Sequence, residues 1–390
     1  MNKKLVAVAV AGLLAAPLAA QAQTANVTLY GRLNLSMEAV NGQAVDPNLP
    51  PGSAPVNRTI YRVNQNSSRL GVRGSESLGG GLSAIFQIES GVQADSSGGV
   101  FATRETFVGL QGTWGTFKMG YFLAPYDDIH PIFGSVPTLT TGILTTSALW
   151  AQGGQGNNDG GFDNRLANSI RYDSPRIGGF TGSVQLSTLD ASPSTGPGAG
   201  TDSGGSPAQR SRHAYIGSAG GFYANGPFQA GVAYQWNEKV RGPALNDYAV
   251  SVAANWNFGP VKVGGVFERI DYDVLGGSDL TRNFYALSAT VPLGPGELYA
   301  MYGTARNGSG PAGAVVGAAP SSQVKAGSNT GADQWEISYT YALSKRTLAY
   351  AGFVQIRNDD NANYTFGSNG YAVVNGANAN GFTLGLVHFF

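Results

Sequence analysis

The residues with the most chemical potential are arginines spaced by even numbers. In "SSRLGVRG" (residues 67–74), Arg69 and Arg73 share one parity and Leu70 and Val72 take the other. In "NRLANSIRY" (164–172), Arg165 and Arg171 stand opposite Leu166, Ile170 and Tyr172. In "LSAIFQIES" (82–90), Gln87 and Glu89 alternate with Leu82, Ala84, Phe86 and Ile88. Two adjacent acids, Asp127 and Asp128, lie between these segments. Fixed cations on one surface attract anions, and acids facing them set a field across the gap. Bond-making chemistry finds less support. The 3 His residues (His130, His213 and His388) fall at no linear spacing of a Ser/His/Asp or metal site. With 0 Cys, thiol catalysis and zinc–thiolate sites are excluded. No cofactor or metal is expected. Gly79, Gly80 and Gly81 precede no helix pattern and no Lys-Ser/Thr pair, so they read as a turn and not as a phosphate cradle. "NDDNAN" (358–363) has the composition of a calcium loop but lacks the spaced Glu.

Side chains at even spacing need strands to hold them. The stretch "NVTLYGRLNLSMEA" (26–39) sets the pattern: Val27, Leu29, Leu33, Leu35 and Met37 on one parity, and Thr28, Tyr30, Arg32, Asn34, Ser36 and Glu38 on the other. In a soluble protein the apolar parity would line a core. In a membrane barrel the faces exchange roles.

Several features choose between them. Lys3 and Lys4 precede the apolar run "LVAVAVAGLLAAPLAA", and Ala20-Gln21-Ala22 follows the small-x-small rule. Residues 1–22 are therefore expected to be a cleaved secretory signal, too short to span a bilayer. Removing Lys3 and Lys4 from 24 Lys and Arg leaves 22 bases against 24 acids, so no basic excess points to nucleic acid. No later run is apolar enough for a spanning helix, and a membrane location would require a closed barrel.

Alternation recurs in "GPFQAGVAYQW", "DYAVSVAANWNFG", "QWEISYTYAL" and the terminal "GFTLGLVHFF", with aromatic residues near the ends of the apolar faces. About 16 such segments are expected between residue 27 and the C-terminus. Tight turns such as "SLGGGL", "QGTWGTF" and "NFGPVK" take turns with long polar loops (190–211 and 307–333), the asymmetry of outer-membrane barrels. A multi-domain β protein with Gly/Ser linkers leaves that asymmetry unexplained. One long connection, 124–164, differs by carrying Ile129, Ile132, Phe133, Leu139, Ile143, Leu144, Leu149 and Trp150. Folded back into a barrel, it would bury these side chains and narrow the channel. An Arg turned to lipid at mid-membrane costs about 2–4 kcal/mol, so Arg69, Arg73, Arg165 and Arg171 are expected inside, with Glu89.

Several stretches resemble the trimeric general porins of β-proteobacteria: "VTLYGRLN", "SSRLGVRGSESLGGGLSAIFQIESG", "FVGLQGTWGTFKMGY", "NSIRYDSP", "YALSKRT" and the terminal Phe390. The resemblance implies an all-β, 16-stranded antiparallel barrel over 23–390, a homotrimer in the outer membrane, and a third loop folded into the pore. It also implies that Phe390 belongs to the signal read by the barrel-assembly machinery. Anion-selective members carry wall arginines opposite that loop, and the matching positions are Arg69, Arg104 and Arg165. Arg104 shares parity with Val108 and Leu110 and needs a β-bulge to turn inward. Asp127 and Asp128 would face these arginines from the loop. The expected function is passive diffusion of small hydrophilic solutes with weak anion preference. A substrate-specific channel for small carboxylates or aromatic acids would share every feature, and a soluble exported binding protein would place the same strands around an apolar core.

Overall fold

The computed structural model describes residues 26–44, 54–96, 101–134, 142–150, 161–188, 213–274, 276, 278–317, 323–366 and 373–390. The expected signal segment and the 190–211 loop lie outside the described residues.

The chain forms one antiparallel sheet closed on itself. In chain order its strands are β1 (Asn26–Ala44), β2 (Val56–Gln65, resumed as Arg69–Gly79), β3 (Leu82–Gly91), β4 (Thr106–Gly112), β5 (Gly115–Leu123) and β6 (Arg165–Asp173). They continue as β7 (Phe180–Thr188), β8 (Tyr215–Asn225), β9 (Phe228–Gly242), β10 (Leu245–Asn257) and β11 (Lys262–Val274). The last are β12 (Ser278–Leu293), β13 (Gly296–Ala305), β14 (Ala332–Ala342), β15 (Thr347–Asn358) and β16 (Ala379–Phe389). Both halves of β2 pair with β1, one through Leu35↔Gln65 and the other through Arg32↔Arg69. The break between them carries Ser67 at φ 55. Counting the halves as one strand gives a 16-stranded barrel among the described residues. β1 closes it on β16 from Arg32↔Phe389 to Gly42↔Ala379.

The faces settle the question posed by β1. Val27, Leu29 and Met37 are 55–62% exposed on the outside of the barrel, whereas Asn34, Ser36 and Glu38 are at most 3% exposed within it. Polar residues line the interior and apolar ones meet lipid, the arrangement of a membrane barrel. A ring of aromatics, Phe180, Tyr223, Phe228, Trp256 and Phe258, marks the rim beside the tight turns. Tyr234, Trp236 and Tyr248 form a second stack farther along the strands. The 9 residues from Phe228 to Trp236 span about 27 Å along the strand, matching an apolar band crossed at a tilt.

The interior is not polar all round. Ala233, Ala249, Ala253, Ile270, Phe284, Tyr350 and Val354 point inward and are at most 3% exposed. They form an apolar patch on β9–β15 that needs a cover.

Candidate functional site

The described parts of the 124–164 connection supply that cover. A 3-10 turn (Asp127–Ile129) leads into one helical turn (His130–Phe133) begun by Pro131. Ile129, Phe133, Ile143, Leu144, Leu149, Trp150 and Phe162 are each at most 2% exposed. Burying each such side chain contributes about 1.5–3 kcal/mol, which offsets part of the entropy lost in ordering the connection. Inward side chains of the wall meet its polar atoms. The Asn255 amide donates to the Ile132 carbonyl at 2.7 Å, and the Ser288 hydroxyl to that of Phe133 at 3.0 Å. Arg282 donates to Leu149 O at 2.7 Å, and Gln334 to Thr145 O at 2.6 Å. In return Trp150 Nε1 donates to Ser251 Oγ at 3.0 Å, and the Tyr126 hydroxyl to Glu268 at 2.7 Å.

Basic side chains gather on β1–β6. Glu89 on β3 is their hub: Arg104 Nε lies 2.6 Å from one carboxylate oxygen, and Arg69 Nε lies 3.7 Å from the other. The Tyr30 hydroxyl donates to Glu89 at 3.0 Å, and the Arg73 guanidinium stacks over the Tyr30 ring at 4.9 Å. Arg32 on β1 is within electrostatic range of Arg69 and Arg104. Among the described residues its hydrogen bonds go to neutral acceptors, the carbonyls of Ser67 and Asn66 at 3.1 Å each, so no ion pair cancels its charge there. Arg165 lies in the field of Arg104, Glu105 and Asp127, and its Nε has no hydrogen-bond partner among the described residues. Arginines thus outnumber the carboxylate they share.

The loop's acids are placed differently from each other. Asp128 pairs with Arg171, whose Nε also bonds Asp173 at 2.7 Å and whose third nitrogen donates to Leu123 O at 3.0 Å. Burial lifts the Asp128 carboxyl to about 6, with Arg171 pulling the other way. Asp127 lies beside Asp163 on the returning limb, with a carboxylate oxygen of each within 4.8 Å of the other. Burial raises Asp127 well above the carboxylate range, and the charge of Asp163 adds to it. Burial pushes Asp163 up to about 6 and lowers His130, which sits between the limbs with Nε2 3.1 Å from Asp163.

Three readings of the sequence need correction. Leu166 does not face lipid: it is 0% exposed, because the β5–β6 register shifts between Gly120 and Phe122 and Asn168 takes φ 49. The bulge breaks parity there, so alternation alone does not place Arg165. Arg104 turns inward by a different device from a bulge within the strand. It precedes β4 in a bend, its N–H donates to Glu89 O at 3.0 Å, and Ala102 before it has φ 59. His130 also has close partners that linear spacing hides, with Thr146 Oγ1 3.3 Å from Nδ1 on the side away from Asp163. Thr146 is 2% exposed, so this hydroxyl–imidazole contact lies inside the loop's packing.

Arg32 also belongs to the charged cluster, as its inward parity in β1 implies. At the C-terminus, Phe390 exchanges both backbone hydrogen bonds with Gly31, at 3.0 and 3.1 Å.

A closed barrel with lipid-facing apolar residues, a polar interior and an inserted loop defines a membrane channel of the outer-membrane type. The family model described as Gram-negative porin matches residues 7–361, and the chain belongs to that family. Outer membrane porin protein 32 of Delftia acidovorans is 30% identical over 401 aligned residues that cover 100% of both sequences. Major outer membrane protein P.IB of Neisseria gonorrhoeae is 32% identical over 197 residues, 50% of this chain and 51% of that protein. Among solved structures, the anion-selective porin from Comamonas acidovorans superposes with a TM-score of 0.71 over 94% of this chain and 100% of that one, at 23% identity. The protein is an outer-membrane porin.

Proposed function

We propose that the channel passes small hydrophilic solutes by diffusion and favours anions weakly. Arg69, Arg104 and Arg165 act as the charged wall, and the 124–164 loop acts as the constriction facing it. Arg73, Arg171 and Glu89 are further lumen residues, and Asp127 and Asp128 are the loop's acids. The observation that carries this reading is the crowding of Arg32, Arg69 and Arg104 around the single carboxylate of Glu89. An excess of fixed positive charge lowers the barrier for anions and raises it for cations. Similarity to a porin described as anion-selective supports the same sign. Weak contacts at several sites suit conduction better than one tight site, because the solute must also leave.

A cleaved signal over residues 1–22, a homotrimer, and an assembly signal that includes Phe390 complete the reading, all supported by family likeness. It assigns the chain no enzymatic role, in keeping with membership of a family of channels.

Liposome swelling separates general diffusion from the substrate-specific alternative. Swelling rates in isosmotic arabinose, acetate and benzoate should rise linearly with solute concentration. Saturation for one carboxylate, with inhibition by that same solute, would favour the specific channel.

A further inference from the structure

One cluster plays no part in the wall of arginines. Asp127 and His130 leave β5 on the outgoing limb of the inserted loop, and Asp163 returns on the other limb just before β6. Although His130 and Asp163 lie 33 positions apart in the sequence, one ligand-capable atom from each of Asp127, His130 and Asp163 lies within 4.8 Å of the others.

Three features make this more than a group of acids. His130 is 0% exposed, and its Nε2 points into the cluster without a properly aligned hydrogen-bond partner, despite lying 3.1 Å from Asp163. The other face of the ring is already held, by Thr146 Oγ1 at Nδ1 and by the Trp150 ring with its centroid 3.9 Å away. If Nδ1–H donates to Thr146, the Nε2 lone pair faces the carboxylates, as in metal sites where an outer partner fixes the imidazole. Asp163 Oδ1 is likewise buried and without a partner. Two carboxylates in contact need a proton or a cation between them.

We propose that Asp127, His130 and Asp163 bind a divalent transition-metal ion, with Zn2+ the best match, and that the ion staples the two limbs of the constriction loop at its root. One imidazole nitrogen and two carboxylate oxygens form a three-ligand Zn2+ set that leaves a fourth position for water. Ca2+ prefers oxygen ligands alone and is disfavoured by the imidazole. The neighbouring charges are Arg165, which opposes binding, and Glu268, which favours it; Glu268 is itself engaged by Arg282 at 3.2 Å and by Tyr126. Tyr126 also packs against the cluster's own limb, with its ring 5.9 Å from that of Phe162. The ion would bridge both limbs, so it should stiffen the loop against movement into the lumen. This inference stands apart from the sign of ion selectivity.

The test uses the full mature porin purified in detergent, stripped with a chelator and then titrated with Zn2+ or Ca2+. Wild type should retain one Zn2+ per chain by elemental analysis, unfold at a higher temperature with Zn2+, and show no such shift with Ca2+. His130→Gln and Asp163→Asn should each weaken Zn2+ binding at least 10-fold and abolish the thermal shift. Heat-modifiable migration on a gel would check that each variant is a folded barrel, and two variants guard against failure of one. Folded wild type that retains no Zn2+, or equal Zn2+ effects in wild type and both variants, would overturn the proposal. The first outcome would leave Asp127 and Asp163 as a pair sharing a proton, and the second would place the ion elsewhere on the chain.

Discussion

At the scale of single residues, Glu89 decides how much of the cluster's charge is visible to a passing ion. It partly neutralises Arg69 and Arg104 and anchors Tyr30. Glu89→Gln keeps the shape and removes the charge, so anion preference should increase while the barrel loses about 1–3 kcal/mol of stability. Single-channel selectivity and thermal unfolding of the same sample check both halves. Reduced anion preference would mean that Glu89 does not face the ion path. Residues also show where sequence reading stops. The inward parity of Arg32 and Glu38 was legible from β1 because an uninterrupted strand keeps its period of two. The burial of Leu166 was not, because one residue at positive φ resets the parity, and Asn permits that conformation without announcing it. The Asp127–His130–Asp163 group was invisible for another reason: its members meet only when two limbs of a long loop come together.

At the scale of elements, the inserted loop and the apolar patch on β9–β15 depend on each other. Ala233, Ala249 and Ala253 are small inward residues, and they share one buried cluster with the loop's Trp150, Phe133 and Leu149. Trp150 lies at the centre of this packing, against Phe133 at 5.9 Å, against Phe284 at 6.4 Å, and bonded to Ser251. Trp150→Ala should cost the loop's anchorage about 3–5 kcal/mol, a loss large enough to loosen it without opening the barrel. The expected result is higher or noisier single-channel conductance with unchanged heat-modifiable migration; quiet, wild-type conductance would show that the loop does not limit flow. Where β5 gives way to the loop, Gly120 at φ 149 lies against the Thr106 carbonyl, and a Cβ there would collide with it. Gly120→Val should therefore lower the yield of folded barrel, measured as the heat-modifiable fraction after refolding. The loop's apolar composition was legible as a need for a packing partner. The matching patch was not, because inward Ala residues look the same as ordinary strand residues.

At the scale of the whole molecule, the strand pattern was legible nearly throughout, including β2, β12 and β13, whose alternation is weak. A barrel has no edge, so each strand is fixed by two neighbours, and that constraint compensates for poor local signal. The closing ladder between β1 and β16 continues past Phe389. Phe390 makes two backbone bonds to Gly31, and its side chain is 44% exposed on the outer surface. Deleting Phe390 should remove both bonds along with the proposed assembly signal, and outer-membrane fractions should contain much less folded barrel. Phe390→Ala retains the backbone and separates the two effects: normal closure in vitro with poor assembly in cells would assign the side chain to recognition.

Selectivity is proposed to arise from an excess of positive charge on the wall that faces the inserted loop. It is tested most directly by the zero-current potential of the purified porin in a planar bilayer under a potassium chloride gradient, comparing wild type with Arg69→Ala. The prediction is a potential of the sign set by chloride, smaller in Arg69→Ala. Stable conductance with a potassium preference, or a potential that Arg69→Ala leaves unchanged, would contradict it.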